Sequence, residues 1–167
     1  LKLTPEDYEY IKEFDVAHTS CYSSMEEELS GLAQHVNVSY DFSDKYNAGQ
    51  LEKVCPYIKH GFFSGAHLSD DELENLVANL GKYNLETIGI TRGSKPAIFL
   101  HLGKRYSQEV FETEIVDTMG AGDSFIAGFL TAFYKQKDMK EALVFAAERA
   151  SITCGFYGGF GYPKDLE

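Results

Sequence analysis

Short runs with β-strand character alternate with amphipathic helical stretches along this chain. The clearest helix follows Ser69, a good N-cap residue, and acidic residues fill its first turn. Its apolar side chains recur at the spacing of one helix face: Leu73, Leu76, Val77 and Leu80. Strand-like runs at 57–64 and 87–91 flank this helix. The alternation predicts an α/β fold with a mostly parallel sheet that binds ligands at the carboxyl ends of its strands.

Four further helices are predicted from caps and apolar spacing. Thr4 caps a helix that runs to about Phe14. Ser24 and Glu27 form a capping box ahead of a second helix. Its apolar stripe consists of Leu29, Leu32, Ala33 and Val36. Two helices follow later in the chain, the first of which opens at Gly120. The remaining strands are predicted at 15–20, 37–42, 97–100 and 104–107, the last two as a hairpin.

The composition bounds the class of protein. A chain of 167 residues, 44% of them hydrophobic, suits one globular domain that covers residues 1–167. The net charge of −11 opposes long-range attraction to nucleic acid or anionic lipid, so neither partner is expected. No apolar run in the sequence approaches the roughly 20 residues that a membrane-spanning helix needs.

The cysteines indicate a cellular compartment, and the first residue bears on whether the chain is part of a longer one. Cys21, Cys55 and Cys154 are far apart and lack metal-type spacing. They predict neither a disulfide framework nor a zinc site, and they indicate reduced thiols in a cytoplasmic protein. The chain begins at Leu1 with neither an initiator Met nor a signal peptide, so we expect it to be the interior of a longer polypeptide.

The segment Asp117-Thr118-Met119-Gly120-Ala121-Gly122-Asp123 lies between a strand-like run at 114–116 and a strongly amphipathic helix. Its two glycines let the backbone approach a ligand, while the first N–H groups of the helix attract an anion such as phosphate. Asp123 would accept a proton beside that phosphate, as phosphoryl transfer to an alcohol requires. On the alternative interpretation, Asp123 supports only the helix dipole and the glycines make only a tight turn.

Residues 117–125 resemble the C-terminal signature of the ribokinase-like (PfkB) carbohydrate kinase family. The resemblance covers nearly the whole chain, but only the second half of the family pattern. It implies a ribokinase-like three-layer αβα fold with a mostly parallel sheet, whose N-terminal strands and lid are missing from this chain. Residues 1–167 would then be the C-terminal nucleotide-binding and catalytic part of such a kinase.

The same resemblance implies roles within the segment. Asp123 would be the catalytic base. The anion hole for the transferred phosphate would consist of Gly120, Ala121 and Gly122. Asp117 and Thr118 match positions near the phosphates and, in many members, a monovalent-cation site, with Asp117 as the metal ligand. The implied cofactors are ATP, Mg²⁺ and, in such members, K⁺.

Two other parts of the chain match positions that face the nucleotide in this family. Lys45, at the end of Asp41-Phe42-Ser43-Asp44-Lys45, takes the place of a phosphate-facing arginine. A solvated lysine after a strand is an equally good interpretation of Lys45. Thr91 and Gly93 match the Thr-x-Gly turn next to the nucleotide, although Pro96 stands where a glycine is common.

The family's Asn-x-x-Glu motif, whose glutamate organises Mg²⁺, is replaced here by Ser64 and His67. Either Asp70 or Asp71 substitutes for the glutamate, or the magnesium network is looser, and Ser64 keeps a place beside the nucleotide.

The end of the chain resembles the closing helix and the glycine turn beside the adenine, with Ser151 and Gly159 as the matched positions. We interpret three aromatic residues of this stretch as packing residues: Phe156, Tyr157 and Phe160.

Within the family, the likeness is to fructoselysine 6-kinases, through residues 3–8, 41–45 and 117–130. It implies that ATP phosphorylates a primary hydroxyl of a fructosamine such as fructoselysine. Tyr22, which follows the predicted strand at 15–20, would either face the sugar or pack in the core.

Other functions stay open at this point. A fructokinase, nucleoside kinase or pyridoxal-type kinase would share the fold, and a non-catalytic nucleotide-binding domain would share the segment 117–123, which we call the phosphate loop. Family members bind their sugar largely with N-terminal elements that residues 1–167 lack, so we expect little or no kinase activity from the isolated chain. Because strands lost from a parallel sheet leave an exposed edge, we expect either that the missing half covers this edge or that the chain associates with itself, as a homodimer, or with a partner.

Overall fold

A computed structural model describes residues 2–136 and 138–159. The chain divides into two compact units. The first unit is Leu1–Gly93 with Ala97–Tyr106, and the second is Ser94–Pro96 with Ser107–Glu167. The expectation of one domain over residues 1–167 stays a prediction.

Six strands form one sheet whose spatial order follows the chain. They are β1 (Val16–Ser20), β2 (Asn37–Asp41), β3 (His60–Ser64), β4 (Thr87–Arg92), β5 (Lys95–His101) and β6 (Lys104–Gln108). Four helices of the first unit alternate with these strands. They are α1 (Pro5–Ile11), α2 (Leu29–Leu32), α3 (Ala48–Val54) and α4 (Asp70–Leu80).

The first four strands are parallel to one another. Their register aligns Ser20 with Asp41, and Ser64 with Thr91. Two-residue turns, which join antiparallel strands, connect β4 to β5 and β5 to β6. Gly93, with a φ of 64°, lies in the first of these turns. The predicted mostly parallel sheet and its closing hairpin are therefore confirmed.

One face of the sheet forms the core of the first unit with helices α2, α3 and α4. Alternate residues of the strands point into this core, as the two-residue period of a strand requires. The strand residues of the core include Val38, Tyr40, Phe63, Ile88 and Ile90. The helices contribute leucines and valines at helical spacing, which include Leu29, Leu32, Leu51, Val54, Leu73, Leu76 and Leu80.

Two of the three predicted helix N-caps are confirmed. Capping boxes at Thr4 and Ser69 start α1 and α4 as expected. The prediction of a capping box at Ser24 is wrong, because Ser24 has a left-handed φ of 52° rather than the extended backbone of an N-cap. Helix α2 instead begins at Leu29 without a side-chain cap, and Glu27 pairs with Lys53.

The second unit is built on two long helices, α5 (Ala121–Tyr134) and α6 (Met139–Cys154). A 3₁₀ turn at Tyr157–Gly159 follows them. The helices pack closely at Gly128, where a Cβ atom would lie 3.1 Å from the Ala146 Cα atom. Residues 114–116 form no strand, contrary to the prediction, because the Val116 N–H donates instead to the Cys154 carbonyl at 2.9 Å.

Within the described ranges, no helix combines the length and the apolar character that crossing a bilayer requires.

Burial of His60 in β3 gives a prediction about stability against pH. The side chain is 1% exposed, and this burial lowers the pKa of His60 to about 4, against the effect of Glu86, which raises it. In the unfolded chain, His60 would be protonated near pH 6.5, whereas in the folded chain it is protonated only near pH 4. Stability should therefore fall between pH 6.5 and pH 4, by at most on the order of 3 kcal/mol.

Urea unfolding at several pH values between 7.5 and 4.5 measures this effect. In His60→Gln the dependence on pH should be clearly flatter, whatever the absolute stability of the variant. Equal slopes for the variant and the unaltered chain would contradict the prediction.

Candidate active site

The predicted phosphate loop is a turn that ends at the N-terminus of α5. Gly120 has a φ of 75° and is the N-cap of the helix. A Cβ atom on Gly120 would lie 3.3 Å from the Gly159 Cα atom, and one on Gly159 would lie 3.0 Å from the Met119 carbonyl oxygen. Both glycines also have positive φ, since Gly159 has a φ of 81°. The structure thus brings Gly120 and Gly159 together, and their close backbones need glycine at both positions.

Asp123 lies in the first turn of α5 and is exposed. Among the described residues, none forms a hydrogen bond or an ion pair with its carboxylate. The same holds for the backbone N–H groups of Gly122 and Asp123, as the first turn of a helix leaves its amides without partners inside the helix. The Ala121 N–H differs, because it donates to the Thr118 carbonyl at 3.2 Å. Two amides at the positive end of α5 are therefore open to an anion, beside a carboxylate that is open to a proton donor.

Asp117 holds the two ends of this loop together. Its Oδ1 accepts from the Met119 N–H at 3.0 Å, and its Oδ2 accepts from the Gly158 N–H at 3.0 Å. The Met119 and Gly158 amides hold the pKa of the Asp117 carboxyl below its usual value. Each oxygen keeps a second lone pair, so a cation ligand at Asp117 is compatible with this geometry. In the described part of the chain, no three His, Cys, Asp or Glu side chains form a cluster that could hold a metal ion.

A contact that the sequence did not indicate ties α6 to the start of α5. The Ser124 Oγ and Thr153 Oγ1 atoms lie 2.6 Å apart, and Thr153 is buried. Ser151, the residue predicted at the nucleotide, donates its hydroxyl to the Glu148 carbonyl of its own helix at 2.9 Å. The described contacts therefore link Thr153, rather than Ser151, to the phosphate loop.

The aromatic residues of the closing turn are not packing residues where they are described. Phe156 is 46% exposed and Tyr157 is 68% exposed, so the packing interpretation is wrong for both. Phe160 lies outside the described residues.

Four predicted nucleotide-binding residues lie in the first unit, where β2, β3 and β4 end: Lys45, Ser64, Thr91 and Gly93. Ser64 and Thr91 are register partners, and the Gly65 N–H donates to the Thr91 carbonyl at 2.7 Å. The Ser64 N–H donates to the Ser43 carbonyl at 2.7 Å, which fixes the segment that carries Lys45 to the end of β3. The four residues therefore share one edge of the sheet, as the carboxyl ends of parallel strands do.

The segment that replaces the glutamate motif also lies at this edge. The Arg92 guanidinium pairs with Asp70 at 2.6 Å, and the Arg92 side chain is 11% exposed. The His67 ring lies 6.3 Å from the Tyr46 ring, between ring centres. Asp70 is thus paired with a nearly buried arginine, and both Asp70 and Asp71 are exposed. Substitution of either for the glutamate stays a prediction.

Tyr22 was predicted either to face a substrate or to pack in the core. Its side chain is 63% exposed, so the core-packing interpretation is wrong. The Lys45 ammonium lies 4.2 Å from the centre of the Tyr22 ring. No local pattern indicates this contact, because the two residues are 23 positions apart and meet through the pairing of β1 with β2.

A cavity of about 410 Å³ in the first unit lies away from these residues. Its lining includes Val36 and Lys59, which directly precede β2 and β3, and Lys82, which lies between α4 and β4. No residue that the sequence predicts as functional lines it.

The α/β fold and the glycine turn at the start of α5 are those that the sequence predicts for a ribokinase-like kinase, and comparison with known proteins agrees. Residues 59–161 match the pfkB family of carbohydrate kinases. The chain belongs to this family.

Two curated relatives identify the part of the family to which the chain is similar. It is 44% identical over 169 residues to fructosamine kinase FrlD of Bacillus subtilis strain 168, in a match that covers 100% of this chain and 60% of the relative. It is 27% identical over 159 residues to fructoselysine 6-kinase of Escherichia coli strain K12, in a match that covers 95% of this chain and 60% of the relative. The chain thus spans about three fifths of the length of these relatives.

The likeness to solved structures confirms the ribokinase-like fold. Arabidopsis thaliana ribokinase, solved in complex with ribose and ATP, superposes with a TM-score of 0.80 at 20% identity. This match covers 94% of the present chain and 55% of the ribokinase chain.

Proposed function

We propose that this chain is the nucleotide-binding and catalytic part of an ATP-dependent kinase that phosphorylates a primary hydroxyl of a fructosamine such as fructoselysine. One observation carries the proposal: the exposed Asp123 carboxylate stands beside two helix amides that donate to no described group. A hydroxyl donor and a phosphate anion are the ligands that this pair of groups suits. The names of the two curated relatives support the fructosamine class of acceptor.

The transfer step assigns a task to each group of the loop. The acceptor hydroxyl forms a new O–P bond to the γ-phosphorus of ATP, and the bond from that phosphorus to the bridging oxygen breaks, so ADP leaves with the electron pair. Asp123 takes the hydroxyl proton as the O–P bond forms. The Gly122 and Asp123 amides stabilise the oxygens of the transferred group. Gly120 and Ala121 complete the anion hole by shaping the turn that presents these amides.

Further residues would bind the nucleotide. Lys45 would offer a positive charge to the phosphates, and Thr118 would lie beside them. The other residues assigned to the nucleotide are Ser64, Thr91, Gly93, Ser151 and Gly159. Mg²⁺ in such reactions is held largely by the nucleotide phosphates, water and one or two carboxylates, where it neutralises developing charge. Asp117 is the carboxylate that we assign to a cation.

A coupled assay of ADP release tests the proposed reaction. Because the chain spans about 60% of the length of the Bacillus subtilis relative, we would assay the chain alone and as a fusion to the part of this relative that the match leaves uncovered. We expect the fusion to release ADP with fructoselysine and far less with fructose or adenosine. The chain alone should show little or no turnover.

The outcomes separate the alternatives. Equal ADP release with and without an acceptor, or a preference for adenosine, would contradict the fructosamine assignment. Robust turnover by the chain alone would contradict its expected inactivity but not its chemistry.

A further inference from the structure

Tyr22, Ser43 and Lys45 form a cluster at the carboxyl ends of β1 and β2. The Lys45 Nζ atom lies 4.2 Å from the centre of the Tyr22 ring, well within the distance of a cation–π contact. The Tyr22 hydroxyl donates to the Ser43 Oγ atom at 3.4 Å. Tyr22 is thus held at both its ring face and its hydroxyl, although 63% of its surface is exposed.

Ser43 is a rigid anchor for this cluster. Its backbone adopts a left-handed φ of 51°. Its N–H donates to the Asp41 carboxylate at 2.8 Å, and its carbonyl accepts from the Ser64 N–H at 2.7 Å. The residue that receives the Tyr22 hydroxyl is therefore fixed to the ends of both β2 and β3.

The Lys45 ammonium is held without being neutralised. Among the residues that the structure describes, no carboxylate forms an ion pair with it, although Asp44 is the preceding residue and Asp41 is nearby in sequence. A lysine ammonium is a compact charge on a flexible stem, whereas an arginine carries a rigid fork. The Tyr22 ring restricts that stem and leaves the N–H donors of the ammonium free to bind an anion.

We infer that Tyr22 is a positioning residue for Lys45, which it holds at the sheet edge to meet the terminal phosphate of a nucleoside triphosphate. The inference rests on the proposed function, which places the nucleotide phosphates at this edge. It gives Tyr22 no contact of its own with the nucleotide. The competing possibility, that Tyr22 binds a ligand directly, is an outcome of the test.

A double-mutant cycle on this chain tests the inference through equilibrium binding of ATP and ADP by calorimetry. Lys45→Met should weaken ATP binding by about 10- to 100-fold, the effect of a lost hydrogen bond to a charged group. It should leave ADP binding unchanged. Tyr22→Leu should weaken ATP binding by about two- to fivefold, the effect of a lost cation–π contact at an exposed site. It should also leave ADP binding unchanged. Tyr22→Phe keeps the ring and should bind ATP almost as the unaltered chain does.

The double variant decides the matter. If Tyr22 acts through Lys45, adding Tyr22→Leu to Lys45→Met should weaken ATP binding no further. Additive effects, equal losses for ATP and ADP, or no effect of Tyr22→Leu would each overturn the inference.

Lys104→Met is a matched control. Lys104 lies 5.1 Å from the Tyr106 ring centre in a similar contact. It follows a turn whose Leu102 N–H donates to the Glu86 carbonyl, just before β4 begins, so it lies at the opposite end of the sheet from Lys45. This variant should leave ATP binding unchanged.

A proton NMR measurement keeps the inference testable without any ligand. The ε-methylene protons of Lys45 should be shifted upfield by the Tyr22 ring, and Tyr22→Leu should abolish the shift. Absence of the shift in the unaltered chain would overturn the inference.

Failure of the proposed function would look different. If the fusion releases no ADP with any acceptor but the cycle is non-additive for ATP, the kinase proposal fails and the role of Tyr22 stands. If the fusion is active and the effects add, the role of Tyr22 fails and the kinase proposal stands.

Discussion

Replacing Asp123 by Asn is expected to lower phosphoryl transfer by the fusion by about 10²- to 10⁴-fold, the usual contribution of a general base. Asparagine has nearly the same shape, but its amide accepts no proton at neutral pH. Because no described residue depends on the Asp123 carboxylate for a hydrogen bond or an ion pair, the fold and ATP affinity should change little. The measurements are ADP release by the fusion and calorimetric ATP binding by the chain.

Glu6→Gln is the matched control for this change. Glu6 is also an exposed carboxylate in the first turn of a helix, α1, so the substitution removes the same charge from an equivalent position. It should leave turnover unchanged. Turnover by Asp123→Asn within threefold of the unaltered fusion would show that Asp123 only supports the helix dipole and is not the catalytic base.

Replacing Gly122 by Ala is expected to separate ligand binding from stability. Apart from its chain neighbours and the backbone of its own helix, a Cβ atom on Gly122 would meet no atom of the described residues within 4 Å. This glycine lies in the first turn of α5 without a positive φ. The folded chain should therefore tolerate alanine, with a gain of about 0.4–1 kcal/mol from lower entropy of the unfolded chain. The added methyl group would occupy the space beside the open amides, and turnover should fall by about 10²-fold, as when one oxyanion donor is lost.

Gly49→Ala supplies the control for Gly122. Gly49 lies in the first turn of α3, where a Cβ atom would make an ordinary contact 3.5 Å from the Asn47 Oδ1 atom. This variant should match the stability gain and keep full turnover and ATP affinity. A fully active Gly122→Ala fusion would contradict a phosphate site at these amides.

The strands and the long helices were predictable because local sequence determines them. The Ser69 cap, the acids after it and the apolar spacing of α4 act within a few residues, and the structure places that helix where the pattern predicts it. The Ser24 motif has the same local form but fails. Its backbone is left-handed, and Glu27 pairs with Lys53 in α3, a contact that no local pattern contains.

The phosphate loop was predictable in position but not in detail. The glycines and Asp123 marked the turn and the start of α5. The sequence did not indicate that Asp117 bridges Met119 and Gly158, or that Thr153 contacts Ser124, because these contacts join segments about 30 to 40 residues apart. The run at 114–116 has β propensity, but its backbone bonds to the end of α6 instead of to a neighbouring strand.

The edge of the first unit illustrates the same limit. The parallel pairing of β2, β3 and β4 accounts for the shared edge of the sheet at which Lys45, Ser64 and Thr91 lie. The position of the Tyr22 ring against Lys45 depends on how the side chains are oriented in the segments after β1 and β2. The pairing of Asp70 with Arg92 depends on where the loop between β3 and α4 places the start of α4 relative to the end of β4. No local sequence pattern predicts such contacts, because they form only in the folded chain.

The most direct test of the phosphate loop is a titration of the ¹⁵N-labelled chain with Mg-ATP, followed by amide NMR. The Gly122 and Asp123 resonances should shift more than other amides of α5 and saturate with the ATP affinity measured by calorimetry. The Gly49 amide should not move. If saturating ATP leaves the Gly122 and Asp123 resonances in place, the amides at the start of α5 do not bind the nucleotide phosphates, and the proposed chemistry of this loop is wrong.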